Sequence, residues 1–228
     1  MQQINSRSEI KYIISERQYQ VLINRIEIIV PEDKNSAGSL GYQVRSVYFD
    51  SYKDKSLNEK DEGFAARTKY RIRIYDLDCD EVKIEVKNKI NERVTKQTQI
   101  ISKEHAQKLL GGEYDFLINS ENPLLQQIYT KFVIGNYRPK LLIEYQRRAF
   151  FDEASNVRIT FDHNIRINKS NFDLFGKNTH LIKIVPQNLR VLEIKYDRII
   201  PEHIKRALQI DRFEKTSFSK YLTGRKYE

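Results

Sequence analysis

Polar and apolar residues alternate with a period of two along most of the chain. In segment 67–73 (RTKYRIR), every second side chain is basic and the side chains between them are mostly apolar. Because successive side chains of a β-strand point to opposite faces of a sheet, this pattern predicts strands with one charged face and one buried face. Eight segments have this pattern: 8–14, 42–50, 67–75, 81–88, 92–101, 139–151, 156–167 and 190–197.

Helical spacing of apolar residues is less frequent, and residues typical of helix ends mark where it occurs. Four helices are predicted: 16–30 after a capping box at Ser15 to Gln18, 103–110 between Ser102 and the Gly111-Gly112 pair, 121–134 after Ser120, and 202–209 after Pro201. No helix or strand is predicted for the irregular stretch 169–189. Since no Pro/Gly/Ser-rich linker and no repeat interrupts the chain, a single domain over 1–228 is predicted.

Composition narrows the class of protein. The 228 residues include 39% hydrophobic residues, but no apolar run approaches the roughly 18 residues of a membrane span. The first residues lack the apolar segment of a secretory signal, and the single cysteine, Cys79, cannot form an internal disulfide. These features predict a cytoplasmic protein. With 40 basic and 31 acidic residues, the net charge of +9 favours an anionic partner.

Charged side chains share one face of most predicted strands. Examples are Lys83, Glu85 and Lys87 on one strand, and Glu193 and Lys195 on another. An open antiparallel sheet with one solvated face explains this pattern, and so does a closed barrel with the charges inside. Inside a barrel, Lys and Arg would neutralise phosphate oxygens, and the carboxylates would hold Mg²⁺ or Mn²⁺. The alternation alone leaves both arrangements open.

Most of these segments, and the C-terminal part of the chain, carry motifs that occur in a recognisable order: 9–12 (EIKY), 44–50 (VRSVYFD), 69–75 (KYRIRIY), 84–87 (IEVK), 144–150 (EYQRRAF), 157–162 (VRITFD), 192–196 (LEIKY) and 218–221 (FSKY). The order resembles that of the VTC domain, the catalytic domain of polyphosphate polymerases, which belongs to the triphosphate tunnel metalloenzyme superfamily alongside the CYTH proteins. The resemblance extends from about residue 8 to residue 222.

The resemblance implies an α+β fold, an eight-stranded antiparallel β tunnel with flanking helices. It also implies a reaction: transfer of the γ-phosphoryl group of ATP to a growing polyphosphate chain, with Mn²⁺ or Mg²⁺ as the cofactor. The expected ligands are ATP, polyphosphate, triphosphate and pyrophosphate. Neither a nucleic acid nor a membrane is expected as a partner.

Site residues follow from the same resemblance. Glu193 matches the metal-binding carboxylate of the family, and Asp162 is expected either to bind metal or to orient Arg158. Ligand binding is further expected at Arg45, Lys96 and Lys195. The implied catalytic positions are Lys11, Arg71, Arg73, Lys87, Arg147, Arg158 and Lys220.

The chain also departs from the family pattern. Three residues before the lysine that matches Lys220, the eukaryotic polymerases have a second lysine, whereas this chain has Ser217, with Lys215 two positions earlier. The hairpin between Lys87 and Lys96 is short. A free-standing bacterial catalytic domain is expected. Two alternative functions remain: hydrolysis of a triphosphate or of a nucleotide triphosphate in the same tunnel, and binding of polyphosphate or nucleotide without catalysis.

Overall fold

The computed structural model describes residues 7–36, 38, 40–91, 93–177, 180–209 and 212–228. The strands in this part of the chain are β1 (Ser8–Ser15), β2 (Tyr42–Asp50), β3 (Ala66–Tyr75), β4 (Val82–Ile90), β5 (Arg93–Ile101), β6 (Arg138–Asp152), β7 (Val157–Asn168), β8 (Ile182–Lys183) and β9 (Leu189–Tyr196). The helices are α1 (Glu16–Ile29), α2 (Lys55–Asp61), α3 (Lys103–Gly111), α4 (Asp115–Ile118), α5 (Pro123–Ile134), α6 (Glu202–Leu208) and α7 (Lys220–Lys226). None of these helices is long and apolar enough to cross a membrane.

The chain divides into two compact units. Unit 1 comprises residues 1–43, 145–166 and 183–219, and unit 2 comprises 44–144, 167–182 and 220–228. In unit 1 the strand order is β1-β9-β7-β6, and in unit 2 it is β6-β2-β3-β4-β5. The ladders β1–β9, β7–β9, β2–β3, β3–β4 and β4–β5 are all antiparallel. The predicted α+β class, an antiparallel sheet with flanking helices, is confirmed.

Helix α1 covers the apolar side of the sheet in unit 1. The predicted capping box is present: Ser15 Oγ accepts from the backbone N–H of Gln18 at 3.2 Å, and Gln18 Oε1 accepts from the N–H of Ser15 at 2.7 Å. The buried face of α1 holds Leu22 and Ile26, and it packs with the apolar side chains of β7 and β9. Glu193 and Lys195 of β9 therefore point away from α1, because neighbouring residues in a strand alternate between faces.

Helices α3, α4 and α5 cover the apolar side of the sheet in unit 2. Phe132 of α5 lies at the centre of this core, with its ring centroid 5.2 Å from that of Phe49 in β2 and 5.3 Å from that of Tyr70 in β3. Ile72 and Ile74 of β3 are buried in the same core. Because Tyr70, Ile72 and Ile74 face the helices, the intervening basic side chains of β3 face the other side of the sheet.

Three helices of the structure were not predicted from the sequence: α2, α4 and α7. Helix α2 follows Asp54, which has a left-handed backbone (φ 51) and makes no side-chain cap. The carboxylate of Asp50 takes the place of the cap, since it accepts hydrogen bonds from the backbone N–H groups of Ser56 at 2.8 Å and Leu57 at 3.1 Å. Asp50 also accepts from the Tyr221 hydroxyl at 2.6 Å, which attaches α7 to the same carboxylate.

One predicted helix start is wrong. Ser120 does not cap α5; Asn122 does, with its Oδ1 accepting from the backbone N–H of Leu124 at 2.9 Å, and Pro123 is the first helical residue. The predicted helix 202–209 is confirmed as α6, which begins at Glu202 directly after its N-cap Pro201. In the predicted strand 92–101, residue 92 lies outside the described residues.

Candidate functional site

Strands β3, β4 and β5 align basic side chains across the sheet of unit 2. Lys69 of β3 is paired with Lys87 of β4, which is paired in turn with Lys96 of β5. Residues paired directly across antiparallel strands share a face of the sheet. The next two rows of the same face pair Arg71 with Glu85 and Arg73 with Lys83. We call this set the basic face: Lys69, Arg71, Arg73, Lys83, Glu85, Lys87 and Lys96.

Glu85 is the single carboxylate of the basic face and is 1% exposed. Its Oε2 lies 2.5 Å from Arg71 Nε and 3.8 Å from Arg73 Nη1, and its Oε1 forms an ion pair with Lys96. Burial raises the pKa of Glu85, but the three cations lower that pKa further, so it stays well below its usual range. Glu85 is therefore an anion that fixes the positions of three cations, and this group of four keeps a net charge of 3 − 1 = +2.

Strand β2 adds two hydroxyl groups beside the arginines. Tyr48 is paired with Arg71, and Ser46 is paired with Arg73. Arg71 Nη1 donates a hydrogen bond to Tyr48 Oη at 2.7 Å, and Arg73 Nε donates to Ser46 Oγ at 3.0 Å. These bonds orient both guanidinium groups from the side that is opposite to β4.

Helix α7 brings the C-terminal lysine motif to unit 2. Its first residue is Lys220, and the next residue, Tyr221, donates its hydroxyl hydrogen to Asp50. The Lys69 ammonium lies 5.2 Å from the centroid of the Tyr221 ring. The start of α7, including Lys220, is thus anchored near the Lys69 end of the basic face.

In unit 1, the neighbouring strands β1 and β9 pair charges of opposite sign. Lys11 is paired with Glu193, and Glu9 is paired with Lys195. Lys11 Nζ lies 2.7 Å from Glu9 Oε1, and Lys195 Nζ lies 3.3 Å from Glu193 Oε1. Burial lowers the pKa of Lys11, but the nearby carboxylates, led by Glu193 and Glu9, raise that pKa above its usual range. Lys11 is therefore held as a cation.

A buried arginine–carboxylate pair lies beside these charges. Arg147 Nε and Nη2 donate to the two oxygens of Asp162 at 2.6 and 2.8 Å, and Asp162 is fully buried. Arg147 Nη2 is also 3.7 Å from Glu193 Oε2. Arg158 forms its ion pair with Asp33 at 2.5 Å. Arg147 is thus positioned by Asp162 and directed towards Glu193.

Comparison with known proteins decides the family. A family model described as the VTC domain matches residues 6–228. The chain belongs to the VTC domain family. No curated protein matches it.

Solved structures at low sequence identity resemble this VTC domain. A Bacillus halodurans protein described as a "putative adenylate cyclase" is 13% identical, with a TM-score of 0.51 over 89% of this chain and 87% of that chain. A Vibrio parahaemolyticus protein with the same description is 15% identical, with a TM-score of 0.48 over 92% and 85% of the two chains. A Pyrococcus horikoshii OT3 protein is 13% identical, with a TM-score of 0.45 over 95% of this chain and 96% of that chain. The first of these likenesses shows a shared fold, and no more than the fold.

The carboxylates of the VTC domain differ in how well they fit a metal ion. No group of three or more His, Cys, Asp or Glu side chains that could hold a metal occurs in the described ranges. Mg²⁺ and Mn²⁺ do not require such a group, since Mg²⁺ usually takes one or two carboxylates and completes its coordination with phosphate oxygens and water. Both oxygens of Asp162 bond closely to Arg147, whereas Glu193 lies at 3.3 and 3.7 Å from Lys195 and Arg147. Because Arg147 engages both of its oxygens, Asp162 fits a metal poorly.

The structure does not bring Arg45 together with the basic face. Arg45 is paired with Ile74, so it lies on the opposite face of β2 from Tyr48. Its guanidinium donates to Glu144 at 2.8 and 2.5 Å and to the backbone carbonyl of Gly176 at 2.6 Å. In this VTC domain, Arg45 therefore joins the backbone at Gly176, within the irregular stretch 169–189, to Glu144 of β6.

Sequence reasoning missed the two hydroxyl residues, Ser46 and Tyr48. Tyr48 stands between Val47 and Phe49 in the sequence, and this apolar and aromatic setting does not single it out as a functional residue. The alternation along β2 does separate Ser46 and Tyr48 from Arg45, Val47 and Phe49. However, nothing in that pattern indicates that Tyr48 would pair with Arg71, because pairing between strands is a long-range property.

Proposed function

We propose that this VTC domain is a metal-dependent polyphosphate polymerase that transfers the γ-phosphoryl group of ATP to a growing polyphosphate chain. The observation that carries the proposal is the basic face of unit 2, where six cations surround a single carboxylate in three strand-paired rows. Family membership supports it independently.

The form of the basic face suits a linear polyanion. Neighbouring strands lie about 4.8 Å apart, so the row formed by Lys69, Lys87 and Lys96 spans roughly 10 Å. Lysines act as point charges, whereas arginines offer planar forks of donors that match phosphate oxygens. Arg71 and Arg73 are held in place by Glu85 and by hydroxyl groups, so little ordering remains to be done when a phosphate binds.

Phosphoryl transfer requires positioning and charge neutralisation and little covalent chemistry from the protein. Arg71 and Arg73 would orient the phosphoryl oxygens, and the lysine row would neutralise the chain on either side. In unit 1, Lys11 and Arg147 are both held as cations, and each would bind phosphate oxygens there. Glu193, also in unit 1, would hold Mn²⁺ or Mg²⁺, and the metal would neutralise charge on phosphate oxygens. A terminal phosphate of the acceptor would be the nucleophile, so the mechanism uses no Ser, Cys or His nucleophile.

Product analysis tests the proposal. The protein is incubated with ATP and Mn²⁺, and ADP, free phosphate, polyphosphate and cyclic AMP are measured together. The proposal expects ADP and long polyphosphate to increase in parallel. ADP with free phosphate alone would indicate hydrolysis. Cyclic AMP would instead match the description of the Bacillus halodurans neighbour. Triphosphate binding without turnover would indicate a binding module.

A further inference from the structure

Tyr48 is buried within the charged environment of the basic face. Its side chain is 9% exposed, and its hydroxyl accepts a hydrogen bond from Arg71 Nη1 at 2.7 Å. That hydroxyl donates to no other residue that the structure describes. A neutral phenol at this position would therefore hold a buried donor without an acceptor, which is unfavourable.

Positive charge dominates the surroundings of this hydroxyl. Burial raises the pKa of Tyr48, but Arg71, Arg73 and Lys69 together lower it further, to about 7. The Tyr221 ring of α7 packs against the Tyr48 ring at a centroid distance of 5.2 Å, and its own hydroxyl is bonded to Asp50. The charged and titratable groups around Tyr48 are Lys69, Arg71 and Arg73 on β3, Glu85 on β4 beyond Arg71, Lys96 on β5, Asp50 on β2, and Tyr221 and Arg225 on α7.

We propose that Tyr48 is a proton-linked phosphate ligand: when a triphosphate binds to the basic face, the Tyr48 phenolate takes up one proton from solvent and donates it as a hydrogen bond to a phosphate oxygen. This inference rests on the proposed function, because it takes the basic face as the phosphate site. It adds that Tyr48 becomes a hydrogen-bond donor only when the anion binds. Lysine and arginine side chains, by contrast, are donors in both the empty and the bound protein.

The proton balance follows from the charges. In the empty protein, the three nearby cations favour the phenolate. A bound triphosphate brings several negative charges close to the same cations, so it opposes the phenolate and raises the pKa of Tyr48. The oxygen then gains one proton from water or buffer, and no bond to carbon or phosphorus changes. The new O–H has an acceptor, and Arg71 is no longer needed to neutralise a phenolate and can turn to the phosphate.

The expected pH dependence has a definite sign. The bound protein carries more protons at Tyr48 than the empty protein, so affinity falls as the pH rises. This fall in affinity begins near pH 7, where the empty protein starts to lose the Tyr48 proton. It continues up to the pKa of Tyr48 in the bound protein, which is higher. Over this pH range, the association constant for triphosphate decreases by up to about tenfold per pH unit because of this one group.

The test uses inorganic triphosphate without metal and compares the parent with Tyr48→Phe. Tyr70→Phe is the matched control, since Tyr70 is on the helix-covered face of β3. Calorimetric titration at about pH 8, in two buffers with different heats of ionisation, counts the protons taken up on binding. Tyr48→Phe is expected to take up about one proton fewer than the parent, whereas Tyr70→Phe is expected to match the parent. Affinity of Tyr48→Phe should be lower than that of the parent near pH 6 and equal or higher near pH 9.

A spectroscopic measurement on the parent covers the case in which Tyr48→Phe does not fold. Tyrosinate absorbance of the parent near pH 8 is expected to fall when triphosphate is added. The same proton uptake in Tyr48→Phe and the parent, or a tyrosinate signal that triphosphate leaves unchanged, would overturn the role of Tyr48 and leave the proposed function standing. A parent that binds no triphosphate at any pH would overturn both.

Discussion

Arg71 Nε lies 2.5 Å from Oε2 of Glu85, the residue directly opposite it on β4. Glu85 is almost completely buried and also pairs with Arg73 and Lys96. One carboxylate therefore determines the geometry of three cations. Because the three cations outnumber it, this arrangement is suited to hold a second, external anion.

Replacement of this carboxylate is expected to separate stability from affinity. Glu85→Gln removes the buried negative charge and leaves three cations uncompensated, so the free energy of unfolding should fall by about 3 kcal/mol. Metal-free triphosphate should bind more tightly, because a repelling charge has gone. Urea unfolding with and without triphosphate measures both effects, and Glu104→Gln on the exposed side of α3 is the control. Unchanged stability would contradict the central role of Glu85.

Acid should have an effect similar to that of this substitution. The pKa of Glu85 is lower in the folded protein than in the unfolded chain, so its contribution to stability is complete above the unfolded pKa of about 4.5 and is lost as the pH falls below it. The parent should therefore lose more stability than Glu85→Gln when the pH is lowered from about 5 to about 3. Urea unfolding at these two pH values measures the difference, and equal losses would count against the prediction.

Glu193→Gln is expected to abolish turnover and preserve binding. The amide keeps the shape of the side chain but loses the anionic oxygen that a hard cation prefers. ATP turnover with Mn²⁺ should therefore fall by at least about 100-fold, which is the loss of about 2.7 kcal/mol of transition-state stabilisation. Metal-free triphosphate should bind as tightly as it does to the parent, or more tightly. Turnover equal to that of the parent would reduce Glu193 to an ion-pair partner of Lys195, and the metal would then have to be sought at Glu9, Glu85 or Asp162.

Arg73→Ala and Arg45→Ala should have opposite signatures. Arg73 is on the basic face, so its removal should weaken metal-free triphosphate binding by about 10-fold to 100-fold, the range expected for a charge-assisted hydrogen bond. Arg45 bonds to Glu144 and to backbone carbonyls on the other face of β2. Its removal should lower the unfolding free energy by about 3 kcal/mol, with the affinity of the folded fraction unchanged. Calorimetry measures the triphosphate affinity of both variants, and thermal unfolding measures their stability. Weaker binding by Arg45→Ala together with unchanged binding by Arg73→Ala would contradict both roles.

Ligand class can be checked without any variant. Triphosphate, pyrophosphate and polyphosphate should raise the melting temperature of the protein, because a ligand that binds only the folded state stabilises it. Duplex DNA should compete poorly with triphosphate, since the basic residues follow one face of a sheet and no nucleic-acid-binding motif is present in the sequence. A strong thermal shift with DNA and none with triphosphate would refute the proposed ligand.

The sequence predicted the local features of this site because they depend on alternation within one strand. It predicted that Arg71 and Arg73 share a face, and the structure has them there. It could not predict the row of Lys69, Lys87 and Lys96, because register between strands depends on turn lengths and packing. The motif that includes Arg45 suggested a ligand role, yet Arg45 lies on the opposite face of β2 from Tyr48. The convergence of the charged faces on one enclosed channel stays a prediction.

Helices α2 and α7 were missed for a related reason. Sequence signals for helix starts come from the residues at the start itself. Helix α2 instead receives its capping from Asp50, and α7 is attached through Tyr221 to that same residue, 171 positions away in the chain. A carboxylate shared between such distant segments leaves no local signature.

The row of three lysines has a consequence for the lifetime of the protein. Like charges directly opposite each other on neighbouring strands are destabilising, and β5, which contributes Lys96, is the last strand of the sheet order in unit 2. Without an anion, this border of the sheet should open more readily than the rest, and a protease should cut there first. A phosphate chain bound along the row would neutralise this repulsion and stabilise the border of the sheet. We therefore expect added polyphosphate to slow proteolysis at β5, and an unchanged cleavage rate would contradict this expectation.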